Sequence, residues 1–136
     1  VLSRLVVPAL PPGEKCRSLG LDRDQSDRQR CRQLLQEMKG LQGLARAAYY
    51  ECAIGFYLPD GSVRSVSALC EGEILQEERG GQGFAFDSIF RKHGYEGTFG
   101  EVSEEVFARV SHYRKAFERL KYHLEQVEAD LVATKP

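Results

Sequence analysis

RGGQGFAFDSIF, residues 79–90, places Gly80, Gly81 and Gly83 directly ahead of Phe84, Phe86, Asp87 and Phe90. Glycine lets the backbone reach positive φ and approach a ligand closely. Three aromatic rings around one carboxylate make an apolar slot with a polar reader, which suits a flat heterocycle. A ring stacks on the base face and the carboxylate accepts from an N–H edge. The same residues also fit a corner between strand and loop, with a core phenylalanine cluster and a turn aspartate.

Upstream, residues 46–58 alternate with period two. Tyr50, Cys52, Ile54, Phe56 and Leu58 share one face, and Tyr49, Glu51, Ala53, Gly55 and Tyr57 the other. Pro59, Asp60 and Gly61 predict a hairpin turn, and residues 62–70 return with Val66, Ala68 and Cys70 on the first face. Gly72 marks a bulge or strand corner, and Glu73, Ile74 and Leu75 lead into the glycine-rich stretch. Ahead of the hairpin, Ser26 or Asp27 caps a helix running to Lys39 and stopped by Gly40. Its Cys31, Leu34, Leu35 and Met38, with Leu41, form one apolar face. Leu5 to Val7 reads as a short strand, and residues 15–23 as a polar surface loop. Lys15 and Arg17 in that loop are either solvated or a phosphate-facing edge.

Downstream, RKHGYEGTFGE (residues 91–101) reads as a polar loop. Ser103, Glu104 and Glu105 open a short helix. Ser111 caps a last long helix whose seam is Tyr113, Phe117, Leu120, Leu124, Val127 and Leu131, facing the core or a partner chain. Residues 133–136 read as a loose tail. The elements together predict an α/β fold: a curved, mixed but largely antiparallel sheet with flanking helices.

At 136 residues the chain is one domain by size. Nineteen Lys and Arg against 20 Asp and Glu give a net charge of −1, which argues against a general nucleic-acid binder. No apolar run reaches a membrane-spanning length. The four cysteines form no CxxC pair, so no zinc site is expected. If Leu58 faces Ser62, Cys52 faces Ala68 and Cys70 faces Tyr50. The two thiols are then diagonal neighbours, too far apart for an easy disulfide, and reduced thiols in a cytoplasmic protein are expected.

Joined together, these blocks resemble the inosine triphosphate pyrophosphatase family. Its pattern of Arg-Gly, two residues, Gly-Phe, any residue, aromatic-Asp, two residues, Phe is matched by Arg79, Gly80, Gly83, Phe84, Phe86, Asp87 and Phe90. Gly94, Tyr95, Thr98, Phe99 and Glu101 match a second block, and Ser111-His112 starts a third. Pro12-Gly13, Arg46-Ala47, Cys52 and residues 71–74 agree as well. The resemblance covers residues 1–136 as a counterpart of the C-terminal two-thirds of such a protein. It implies a two-lobed homodimer that hydrolyses deaminated purine triphosphates (ITP, dITP, XTP) to monophosphate and pyrophosphate with Mg²⁺.

By position, the resemblance gives Phe84 the base face and Asp87 its edge, within the loop made with Ala85 and Phe86. Ser111 and His112 take the 6-oxo side, where an amino group would leave donors unpaired. Departures accompany it. Phe107 stands at an expected lysine, Tyr113 at an arginine and Ser88 at a proline, and Arg109 or Arg114 is a candidate substitute. Residues 3–10 resemble part of a water-activating segment, but Leu2 stands at its aspartate and Arg4 at its glycine. No catalytic residue and no metal ligand is therefore assigned. The alternatives are a degenerate homologue binding a nucleotide or partner chain, and a structural dimer module.

Overall fold

The structure is a computed structural model and describes residues 2–19 and 26–133. Among the described residues, five strands form one open sheet: β1 (Leu2–Val6), β2 (Cys16–Ser18), β3 (Ala47–Tyr57), β4 (Val63–Ile74) and β5 (Phe90–Lys92). Their spatial order is β2-β1-β3-β4-β5, and every neighbouring pair is antiparallel. The expected mixed character is corrected by this order. β2 and β3 run the same way, but β1 lies between them, so no parallel pair forms.

The β3–β4 hairpin has the register expected from its alternation. Tyr50 faces Cys70, Cys52 faces Ala68 and Ile54 faces Val66, and all six are buried. All four cysteines are free, and for Cys52 and Cys70 this agrees with their diagonal placement. Gly72 lies within β4 rather than at a corner. A Cβ there would overlap the Arg91 carbonyl and the Phe90 ring, so its missing side chain is what lets β5 dock.

Helix α1 (Asp27–Glu37) begins at a full capping box. Gln29 N–H donates to Ser26 Oγ at 3.2 Å, and Ser26 N–H to Gln29 Oε1 at 2.8 Å. Its Cys31 and Leu34, with Met38, join Leu5, Tyr50, Ile74, Phe86, Phe90 and Phe99 in the main core. Helix α2 (Glu104–Val110) is short, and α3 (His112–Ala133) is the long one. α3 covers the other end of the hairpin, where Ala116, Cys52, Ile54, Val66 and Ala68 form a second cluster. No helix among the described residues is long and apolar enough to cross a membrane.

Two polar stretches depart from expectation. Residues 15–23 are not all loop. Cys16–Ser18 pairs with β1, because three backbone groups suffice for an edge strand whatever its side chains. Arg17 there pairs with Glu37, which spends its charge on α1 rather than on a phosphate. In the loop read at residues 91–101, Thr98 and Phe99 are buried. Of the tail expected at residues 133–136, Ala133 instead ends α3; residues 134–136 of it, and positions 20–23 of the expected loop, lie outside the described residues.

Candidate functional site

The glycine-rich stretch folds into a tight corner between β4 and β5. Gly80 and Gly83 have φ of +83° and +80°. A Cβ on Gly83 would overlap the Asp87 carboxylate, and one on Gly80 the Gly100 carbonyl. The second sequence block clasps the first. Thr98 Oγ1 donates to the Arg79 carbonyl at 2.6 Å, Gln82 N–H to Gly100 at 3.0 Å, and Gly100 N–H to Asp87 at 2.9 Å. Glu101 accepts from Thr98 N–H at 3.0 Å and pairs with Arg79 at 3.1 Å.

The three phenylalanines separate. Phe86 and Phe90 are fully buried in the main core, with the Arg30 guanidinium 5.1 Å from the Phe86 ring centroid. Only Phe84 reaches the surface, 44% exposed. The three-ring slot around one acid is therefore not formed, because the chain turns through residues 85–89, with Ala85 at positive φ, and two of the rings go inward. Ala85 holds φ +53°, and its carbonyl accepts from the Cys31 thiol at 3.2 Å. A hollow of about 520 Å³ opens between this corner and the start of α1, lined by Arg28, Cys31, Glu78, Gly81, Phe84 and Ser88 among others.

Asp87 is only 5% exposed and faces inward. Its Oδ1 accepts from the Tyr50 hydroxyl at 2.9 Å and its Oδ2 from Phe84 N–H at 3.0 Å. Burial raises its pKa to about 6, against the opposing pull of these two hydrogen bonds. Both its oxygens brace the corner, and it does not line the hollow.

Ser111 closes α2 and opens α3, its Oγ accepting from Arg114 N–H at 3.2 Å. His112 is 2% exposed. Its Nε2 lies 2.7 Å from Ser3 Oγ, and its Nδ1 is buried with no partner among the described residues. Desolvation lowers its pKa to about 4, so the ring is neutral at pH 7. His112 stacks on Tyr50 at 4.9 Å and 12° and meets Tyr113 at 4.1 Å and 37°. Tyr113 in turn lies 6.3 Å from Phe84. Asp87 and His112 thus both contact Tyr50, and Phe84 joins them through its N–H on Asp87 and its ring against Tyr113, although about 25 residues of sequence separate the two motifs.

Sequence reasoning placed Tyr50 only as an inward residue of the hairpin. Its signal was a hydroxyl on an otherwise apolar face, which must find a buried partner. Ser3, a β1 residue, was likewise not counted as a site residue. Phe107, at the expected lysine position, packs edge-on against Phe99 at 5.1 Å. Among the described residues, no three His, Cys, Asp or Glu side chains come close enough to hold a metal ion.

A family model described as the Ham1 family matches residues 3–123. The chain is 45% identical over 129 residues to a dITP/XTP pyrophosphatase of Protochlamydia amoebophila (strain UWE25), covering 92% of this chain and 64% of that one. It is 40% identical over 133 residues to a dITP/XTP pyrophosphatase of Chlamydia caviae, covering 95% and 64%. The solved Staphylococcus aureus Ham1 protein superposes with a TM-score of 0.78 at 28% identity, covering 91% of this chain and 64% of that one. The chain thus spans a little under two-thirds of the length of these relatives.

Proposed function

Because the chain belongs to the Ham1 family, we propose that it binds deaminated purine nucleoside triphosphates (ITP, dITP, XTP) and acts in their hydrolysis to monophosphate and pyrophosphate. In that reaction water attacks the α-phosphorus, the bond to the bridging oxygen breaks, and pyrophosphate leaves. The supporting observation is convergence: the exposed Phe84 ring meets Tyr113, which packs on His112, and His112 stacks on Tyr50. The dITP/XTP pyrophosphatase activity of the relatives supports the substrate class.

In this reading Phe84 offers the stacking face. His112 is the polar reader. If the Ser3 hydroxyl donates to Nε2, the neutral ring carries its proton on Nδ1, which is buried and meets no partner among the described residues; turned toward a base, that N–H would suit an oxo oxygen and oppose an amino group. Ser111 orients His112 by capping α3. Ala85, Phe86 and Asp87 shape the corner that holds Phe84. Mg²⁺ would accompany the triphosphate and neutralise its charge; no cluster of three His, Cys, Asp or Glu side chains comes together for it among the described residues. A homodimer in the cytoplasm belongs to the same proposal. Phe117 and Leu124, about half exposed on α3, support the pairing.

A second reading, a catalytically impaired relative that binds a nucleotide or a partner chain, is favoured by Phe107. An apolar ring locked against Phe99 occupies the position where the resemblance leads one to expect a charged side chain. Titration of the chain with ITP, dITP, XTP and ATP beside a pyrophosphate-release assay decides between them. Release from the oxo purines supports the first reading. Tight binding without release supports the second, and absence of both removes the nucleotide reading.

A further inference from the structure

Helix α3 outlasts the body it packs on. Its Tyr113, Ala116 and Leu120 meet the second core cluster, and its Lys115 and Arg119 side chains donate to the β4 carbonyls of Leu69 and Ser67. Among the described residues, none of α3 beyond Leu120 joins either core cluster. The helix nevertheless continues to Ala133, about 20 Å further at roughly 1.5 Å per residue. Its apolar stripe continues with it. Leu124 and Val127 follow Leu120 at spacings of four and three, which keeps them on one face. Leu124 is 48% exposed. A single helical stretch of this length gains little stability on its own in water.

Charge is divided along the same helix. Arg114, Lys115, Arg119 and Lys121 outnumber Glu118 in its first half. Glu125, Glu128 and Asp130 follow, with no Lys or Arg among residues 122–133. Two parallel copies set like charges side by side, whereas two antiparallel copies set each basic half against an acidic one. In the antiparallel register that seats Leu124 on Val127 of a second copy, Lys121 and Glu128 flank the seam on one side. Lys121 of each copy then faces Glu128 of the other. The two bodies, docked on residues before 121, lie at opposite ends of the overlap.

We propose that residues 121–133 of α3 are an arm that pairs antiparallel with the same arm of a second copy of this chain. This rests on the homodimer of the reading above and on none of its nucleotide chemistry. The two symmetric Lys121–Glu128 pairs set the direction, and Leu124 against Val127 supplies the burial. So short an overlap is smaller than a standard interface, and its ion pairs are exposed, so the association is weak and loosens with salt.

The test is sedimentation equilibrium of the 136-residue chain from about 5 to about 500 µM, where so small an interface associates. It is run in low and high salt, and repeated for Lys121→Glu, for Glu128→Lys and for an equimolar mixture of the two variants. Both positions are exposed, and circular dichroism checks folding. The unaltered chain is expected to dimerise, less so in high salt. Each variant alone sets like charges opposite each other and is expected to associate about tenfold more weakly. The mixture restores both opposite-charge pairs and is expected to recover the unaltered affinity. A chain that stays monomeric throughout overturns the proposal and the homodimer together. A dimer that neither variant weakens, or weakened variants that mixing does not rescue, overturns the arm pairing and leaves the homodimer standing. Should a variant fail to fold, carbodiimide cross-linking of mixed isotope-labelled and unlabelled unaltered chains decides. A Lys121–Glu128 link between a labelled and an unlabelled chain is expected, and a cross-linked dimer without it overturns the proposal.

Discussion

The Tyr50 hydroxyl donates to Asp87 Oδ1 across 2.9 Å in the centre of the fold, and this one bond joins the hairpin to the glycine-rich corner. Burial and the neighbouring Asp87 carboxylate push the Tyr50 pKa well above its ordinary value, so the phenol stays a donor at any physiological pH. Replacing Asp87 with Ala strands two donors, the Tyr50 hydroxyl and Phe84 N–H. A loss of about 3 kcal/mol in unfolding free energy is expected in denaturant titration. Because the acid braces the corner, ITP and ATP affinity are expected to fall together. A loss confined to ITP would return Asp87 to a direct reading role.

Asp87 and His112 oppose each other in pH. Asp87 titrates near 6 in the fold against an ordinary value of 3.8. Its contribution is complete below about pH 4 and is lost as pH rises to about 6. His112 titrates near 4 against 6.5. Its contribution is complete above about pH 6.5 and is lost as pH falls to about 4. Each is worth about 3 kcal/mol, so across that window they nearly cancel. Asp87→Asn is expected to gain stability as pH rises from 4 to 6.5, relative to the unaltered chain, and His112→Phe to lose it. Parallel profiles for both variants would contradict this assignment.

The glycines of the corner are not equivalent. Gly83→Ala forces an L residue to φ +80° and into the Asp87 side chain, and is expected to cost about 2 kcal/mol or more. Gly81 has no neighbour within 4 Å of a would-be Cβ and is not among the positive-φ residues. Gly81→Ala is expected to change stability by less than about 0.5 kcal/mol. Melting curves of the two single variants separate the cases.

Arg46 is 7% exposed and spends its guanidinium on four carbonyls. Nε and Nη2 donate to Ile74 and Leu75 at 2.7 Å each, and Nη1 to Leu41 at 3.0 Å and Met38 at 3.3 Å. It ties the end of α1 to the end of β4. Desolvation lowers its pKa, but arginine remains charged. Arg46→Lys keeps the charge and loses the fork, and a loss of about 2–3 kcal/mol in unfolding free energy is expected.

Much of this was legible in the residues because it depends on local rules. Period two set the β3–β4 register, Ser26 marked the start of α1, and the motif blocks located the corner. What escaped depends on contacts between distant segments. A buried aspartate and a ligand-facing aspartate look alike in sequence; only the position of Tyr50 shows which way Asp87 turns. Phe86 and Phe90 carry no mark distinguishing them from Phe84 until the corner is folded. Arg46 read as the first residue of a strand, since a cation serving backbone carbonyls leaves no carboxylate partner to search for. Cys16–Ser18 escaped because three residues are too short to show a period.

The β3–β4 hairpin runs beneath both hydrophobic clusters, contributing Tyr50 and Cys70 to one, and Cys52 and Ala68 to the other. Adjacent residues of one continuous ladder thus belong to different cores, and neither core can loosen without fraying the strand pair it shares. The molecule should melt as one cooperative unit, with near-ultraviolet and far-ultraviolet dichroism superimposed, despite two helices docked at separate ends.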